Sequence, residues 1–396
     1  MAKSSVSRRK QKPKKPYDGF PLWPHPSGRW CKKVRGRFHY FGPWSDPEGA
    51  LERFNREWPY LSDGRTPPST NTSGACTMRT LCNSFLTSKA HKLEAVELSR
   101  RSFGDYHVIC QRLIDEFGRD RPIDDIRSDD FRRFRAKLAK TMGPVALGNT
   151  IVRCRSAFKF AHDEQLINHP VHFGQSFDKP SATTLRRARH EAGPKMFEAD
   201  ELRKILDAAD PIMRAMILLA ANCGFGNSDV ANLPISAVDF ENGWVEFPRP
   251  KTAVERRCPL WAETVAALRE ALARRPEPKD EADIKLCFIS KRGGRIVRTK
   301  PGQKNESRMV TVNTVSPAFA RLLKNLDING RKGRNFYALR HTFETIGGES
   351  KDQVAVNAIM GHVDSSMAAT YRERISDERL KAVTDVVHAW LFGNAE

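Results

Sequence analysis

The sequence predicts a mainly α-helical chain with small β-sheets, an α+β class, and three observations carry that reading. Apolar residues recur at helical spacing through most of residues 75–170 and 195–391. Two short stretches, 28–44 and 244–260, instead mix aliphatic or aromatic side chains with basic ones around turn residues. Polar segments containing Pro, Ser, Thr or Gly, at 61–74 and 171–194, read as linkers between the blocks.

In chain order, residues 1–16 carry seven Lys or Arg and no acid, a basic tail expected to be disordered alone. Residues 17–60 read as a small sheet with a helix behind it. Arg35-Gly36-Arg37 offers the turn, and Asp46 followed by Pro47 starts the helix, with apolar Ala50, Leu51 and Phe54 following. Lys32, Lys33, Arg35 and Arg37 would give that sheet a basic face of a kind that fits a DNA groove.

Residues 75–170 read as all-helical, with helices over 78–90, 106–117, 131–138 and 147–164, and Ser128 before two aspartates as a helix start. The last of these carries Arg153, Arg155 and Lys159. The 171–194 linker holds Lys179, Arg186, Arg187 and Arg189, placed to track a phosphate backbone. Residues 195–396 form the largest unit. Helices are expected at 198–209, 211–223, 264–274, 315–326, 339–347, 353–360 and 376–391, with strands at 244–247 and 256–260 around a turn holding Lys251.

At 396 residues and a net charge of +20, the chain is long enough for two or three cores and basic enough to favour a polyanionic partner, of which nucleic acid is the usual one. Eight cysteines are scattered without a C-x-x-C pair or zinc-finger spacing, which points to reduced thiols in a cytoplasmic protein. The first residues have no apolar run of a secretory signal. The most apolar stretch, 212–223, contains Arg214 and is too short to span a bilayer, so no membrane role is expected.

The chemistry-bearing residues lie near the C-terminus. Arg340 in FYALRHTFET (336–345) is followed by His362 and Tyr371 in IMGHVDSSMAATYRERI (359–375). A tyrosine attacking a phosphodiester needs donors and cations around the phosphate, since charge builds on its oxygens. Arginine offers a planar fork that fits phosphate, and histidine a further donor or proton relay.

With these motifs, residues 195–391 resemble the catalytic domain of the tyrosine recombinases, the phage-integrase family. Residues 75–170 look like that family's helical core-binding domain, and 17–60 are similar in layout to its arm-type DNA-binding domain. The resemblance implies that Tyr371 attacks a DNA phosphate to give a 3′-phosphotyrosyl link, with neither metal nor any other cofactor. It implies that Arg340 neutralises the non-bridging oxygens, that His362 donates to them, and that Lys251, in a Pro-Lys-Thr turn, protonates the leaving 5′-oxygen. Tyr337 stands for the first histidine of H-x-x-R, and His341 would support the site from behind. The expected partners are double-stranded DNA and further copies in a DNA-bound tetramer, the C-terminal helix either packing into a neighbour or capping its own domain, and the expected location is the cytoplasm, at the nucleoid.

One position departs from the family pattern. In CGFGNSDVANL (223–233), Gly226 stands where the family places its first catalytic arginine, while Asp229 fits the acidic position. Arg249, Arg256 and Arg257 flank the same turn as Lys251, and any of them is a candidate replacement. The departure leaves open a catalytically silent DNA-binding relative, regulatory or architectural. A relaxing enzyme similar to type IB topoisomerases would share the chemistry but not the arm-like domain.

Overall fold

The computed structural model describes residues 12–64, 67, 75–301, 309–328 and 333–393, and in it the chain forms two compact units, 1–180 and 181–396. Most of the expected tail, and most of the 61–74 linker, lie outside the described residues. The fold is mainly helical with three small antiparallel sheets among the described residues.

The first unit opens with strands β1 (Trp23–His25), β2 (Arg29–Val34) and β3 (Arg37–Pro43), paired in the order β1-β2-β3. Arg35 and Gly36 both take positive φ in the two-residue β2–β3 connection, where Val34 pairs with Arg37. Helix α1 (Pro47–Ser62) backs the sheet. Asp46 caps it by accepting from the Gly49 amide at 2.9 Å, and Phe20, Leu22, Trp30, Phe41 and Phe54 pack between the two layers.

A second core joins helices α2 (Met78–Glu94), α3 (Arg100–Phe117), α4 (Ser128–Thr141) and α5 (Pro144–Asp163). Helix α4 starts at Ser128, as expected, and its cap is made by Asp130, whose carboxylate accepts from the Arg127 amide at 3.0 Å. The 171–194 linker is also corrected. Phe177 is fully buried against Phe131, Phe134 and Phe173, so residues up to 177 belong to the helical core. Residues 182–192 are themselves a helix, α6 (Ala182–Ala192), capped by Ser181 through the Thr184 amide. Aromatic burial in the first half and a good N-cap in the second override the polar composition.

The second unit continues with α7 (Ala199–Ala208), α8 (Pro211–Cys223) and α9 (Asn227–Asn232). A sheet of β4 (Val238–Asp239), β5 (Trp244–Glu246) and β6 (Arg257–Pro259) follows, then α10 (Ala262–Ala273). The hairpin of β7 (Val297–Pro301) and β8 (Met309–Asn313) was not expected from the sequence, and α11 (Val315–Asn325), α12 (Ala338–Gly347), α13 (Gln353–Met360), α14 (Met367–Thr370) and α15 (Asp377–Phe392) complete the unit. Nearly all of α8 is buried, which makes it the axis of the core. Asn222 on α8 ties the axis to the β6 strand, donating to the Pro259 carbonyl and accepting from the Trp261 amide, both at 2.9 Å.

Helix α15 settles onto its own unit. Leu380, Val383, Val387 and Leu391 enter the core, and the Trp261 indole donates to the Thr384 carbonyl at 3.1 Å. All eight cysteines are free and buried. Burial raises the thiols of Cys154 and Cys287 to about 12. No helix among the described residues is long and apolar enough to cross a membrane.

Candidate active site

The site is built on two helix ends. Helix α8 stops at Gly224 and helix α13 at Gly361, both in the left-handed region, at φ 62° and 63°. A Cβ at Gly361 would stand 2.6 Å from Arg256 Cδ and 3.0 Å from Arg249 Cβ, so the backbone there must lack a side chain. Helix C-termini present unpaired carbonyls at the negative end of the helix dipole, which suits arginine donors.

Arg340, on α12, uses both ends. It is 3% exposed, and its guanidinium donates from Nη1 to the Gly224 carbonyl at 2.5 Å and from Nη2 to the Met360 carbonyl at 2.7 Å. No carboxylate lies within ion-pair distance of it among the described residues. Burial, reinforced by the charge of Arg249, holds it down to about 10. It is still a cation at neutral pH, without a directly paired carboxylate among the described residues and only partly offset by the charge of Asp229, which Arg256 already pairs.

His362 follows the Gly361 cap directly. Its ring Nδ1 lies 3.1 Å from Asn357 Oδ1, which also accepts from Gln353 Nε2 at 3.2 Å, so Nδ1 carries the proton and Nε2 is left for another partner. Burial, then Arg340 and Arg249, lower its proton affinity below the usual histidine value, against an opposing effect of Glu344. Sequence reading does not single out Asn357. Its position one helical turn before the Gly-His pair is the only signal available.

Lys251 is exposed in the β5–β6 connection, whose neighbour Thr252 donates to the Gly361 carbonyl at 3.3 Å. Tyr337 lies at the start of α12, 43% exposed, and its ring edge occupies the space beside Gly226: a Cβ there would meet Tyr337 Cδ2 and Cε2 at 3.1 Å. His341 stands edge-on to Tyr337 at 5.7 Å on the outer side of α12. Burial, then Lys195 and Arg340, depress its proton affinity.

Tyr371 differs from the rest. It ends the short helix α14 and is 77% exposed, with no side-chain partner among the described residues. Its segment is closed by an ion pair at 3.1 Å between Asp364 and Arg372. Asp364 sits at about 2, pulled down by hydrogen bonds from Ser366 and by Arg372.

The basic residues expected to meet DNA divide into paired and free groups. Lys32 is a correction: its ammonium lies over the rings of Phe54 and Trp58, at 4.7 and 4.6 Å, so it faces α1 rather than the open side of the sheet. Lys33 is on the open side beside Phe38, and Arg35 and Arg37 are exposed. Arg153, Arg155 and Lys159 pair with Asp105, Asp178 and Asp163 at 2.7, 2.7 and 2.6 Å. Arg186 and Arg187 are exposed on α6, a helix that buries none of its residues.

Residues 195–377 match the model of the phage integrase family. The tyrosine recombinase XerC of Alcanivorax borkumensis is 23% identical over 275 residues, covering 67% of this chain and 81% of that protein. Among solved structures, the Tn1549 transposon integrase in complex with transposon right end DNA is similar, with a TM-score of 0.58 and 16% identity, over 78% of this chain and 98% of that one. A lambda integrase in a tetramer bound to a Holliday junction is also similar, with a TM-score of 0.57 and 17% identity, over 91% of this chain and 98% of that one. Residues 195–377 thus carry a phage integrase family domain, and the XerC relative, the helical fold and the grouping of Arg340 with His362 agree with a tyrosine recombinase.

Proposed function

We infer that this chain is a site-specific recombinase that cuts and rejoins duplex DNA through Tyr371. The observation that carries the reading is the buried Arg340 guanidinium, without a directly paired carboxylate among the described residues and held on two helix-end carbonyls beside His362. A buried cation of this kind is costly to maintain unless an anion completes it. In this reading a DNA phosphate is that anion, with Arg340 and His362 on its non-bridging oxygens. Tyr371 Oη, its proton lost, forms the bond to phosphorus while the bond to the 5′-oxygen breaks. Lys251 Nζ supplies the proton that turns this oxygen into a free 5′-hydroxyl. Reversal by another strand's 5′-hydroxyl rejoins the DNA.

The six-part organisation belongs to this proposal: basic tail 1–16, arm-type domain 17–60, linker, core-binding domain from 75, the α6 connection, and a catalytic domain to 396. In this reading Lys33, Arg35, Arg37, Arg186 and Arg187, all exposed, meet phosphates. Further copies would join in a DNA-bound tetramer inside the cell, at the nucleoid. Incubation with nicked duplex sites, followed by a denaturing gel, should show a protein–DNA adduct that vanishes in Tyr371→Phe. An adduct that survives that substitution removes Tyr371 as nucleophile.

Gly226 and the partnerless Tyr371 side chain favour a second reading, a DNA binder that no longer cuts. Tight binding of a site on which neither the native protein nor Gly226→Arg forms an adduct would establish that reading.

A further inference from the structure

The three arginines that flank Lys251 are sorted by the structure. Arg257 stacks on Trp244 at 3.8 Å and pairs with Glu246 and Asp377, so both its faces are spent on the β-sheet and on α15. Arg256 is 5% exposed and lies over Phe225 at 4.4 Å. It ion-pairs at 3.0 Å with Asp229, whose other oxygen accepts from the Gly226 amide at 2.7 Å. That ion pair lacks an aligned hydrogen bond, and Arg256 Nη1 has no partner at all. Arg256 thus neutralises the acid beside Gly226 from the hairpin side.

Arg249 is placed differently. It is half-buried, with no carboxylate in ion-pair range among the described residues, and Nη1 donates to the Gly361 carbonyl at 3.3 Å. Arg340 Nη2 donates to the carbonyl just before it, at Met360, and His362 is the residue just after. Two guanidiniums therefore occupy consecutive carbonyls of the turn that carries His362. Arg249 also adds positive potential at both Arg340 and His362. Around the glycine at 226, where the family's arginine is missing, a side chain would crowd the Tyr337 ring at 3.1 Å.

We propose that Arg249 supplies the second phosphate-binding guanidinium of this site, taking from the hairpin the role left vacant at Gly226. The inference rests on the strand-transfer reading for its catalytic meaning, but the phosphate contact stands separately. Arg249 and Arg340 form a pair of forks on one side of the phosphate, with His362 directly after their anchoring carbonyls and Lys251 two residues along the same hairpin. Cation placement by a hairpin rather than by the α8–α9 turn couples phosphate binding to the loop that holds the proton donor.

Two measurements test this. Inorganic phosphate is titrated while the ring resonance of His362 is followed by NMR, assigned with His362→Gln. The native protein should show the His362 midpoint moving up as phosphate binds. Arg249→Ala should lose most of that movement, whereas Lys251→Ala should keep it. Adduct formation on a pool of nicked random-sequence duplexes should fall about 100- to 1000-fold in Arg249→Ala, the usual effect of removing one preorganised donor, and less in Arg249→Lys. An unchanged phosphate response, or an adduct formed at the native rate, in a folded Arg249→Ala overturns the assignment. A native phosphate response lost in Arg249→Ala, with no adduct from any form, keeps the phosphate contact and rejects the strand-transfer reading.

Discussion

The floor of the candidate site and the segment bearing Tyr371 are built to opposite standards. Arg340, Arg256, Asp229 and the glycines at 224 and 361 are buried and bonded on several sides. The stretch around Tyr371 buries none of the residues of α14 and is clasped by a single partly exposed ion pair, Asp364 with Arg372. The difference teaches that the cationic half of the candidate site is part of the fold, while the proposed nucleophile is attached to it lightly. Preorganised charge acts only if it stays still during reaction. On the proposed reading, a tyrosine that meets different strands gains from being held loosely.

Perturbing the floor should have the largest effects. Arg340→Ala should abolish adduct formation by at least about three decades, because the phosphate loses a fork. It also orphans two carbonyls, at about 1–3 kcal/mol each. A thermal melt checks the second part, and an unshifted midpoint would break the contrast drawn here. Gly361→Ala comes next. The left-handed backbone costs a side chain about 1–2 kcal/mol, and the added methyl meets Arg256 Cδ at 2.6 Å. Both the melting midpoint and the phosphate response of His362 should fall.

On the other side of the comparison, Asp364→Ala and Arg372→Ala should leave the melting midpoint and the His362 phosphate response unmoved, since exposed pairs add little to stability. Either substitution should still change the adduct rate, because the clasp spans Tyr371. A coupled fall in the floor's phosphate response would show that the two halves are one.

The smallest effect concerns pH. His362 binds its proton less readily in the folded chain than in the unfolded one, owing first to burial. Below the unfolded value of about 6.5, the unfolded chain therefore binds more protons, and stability rises with pH through that range. Acidification below neutrality should destabilise the native protein slightly more than His362→Gln, as read from denaturation midpoints at several pH values. Equal slopes would dissociate His362 from the cationic cluster.

Much of this architecture was legible beforehand. The helices at 211–223 and 353–360 match residue for residue, because Asp-Pro and Asp caps at one end and Gly at the other punctuate strongly apolar runs. The hairpin of β7 and β8 was not, since Val297 and Thr299, or Val310 and Val312, alternate too briefly among charged neighbours to stand out. The 171–194 segment misled because its polar composition hides Phe173 and Phe177, whose burial depends on partners more than 30 residues away in the chain. At the site, Arg340, His362 and Tyr371 were readable as a motif. The pairing of Arg249 with the turn at 361 was not, because hydrogen bonds spanning 112 positions leave no trace in local spacing.

The eight concealed thiols have a practical corollary. With Cys154 and Cys287 raised to about 12 and every thiol shut inside the protein, the native molecule offers thiol reagents almost no background. A single cysteine installed at Met367 would then be the sole handle for a fluorophore or spin label. Whether the Tyr371 segment moves when DNA is added could then be watched directly, without first stripping the protein of its own thiols.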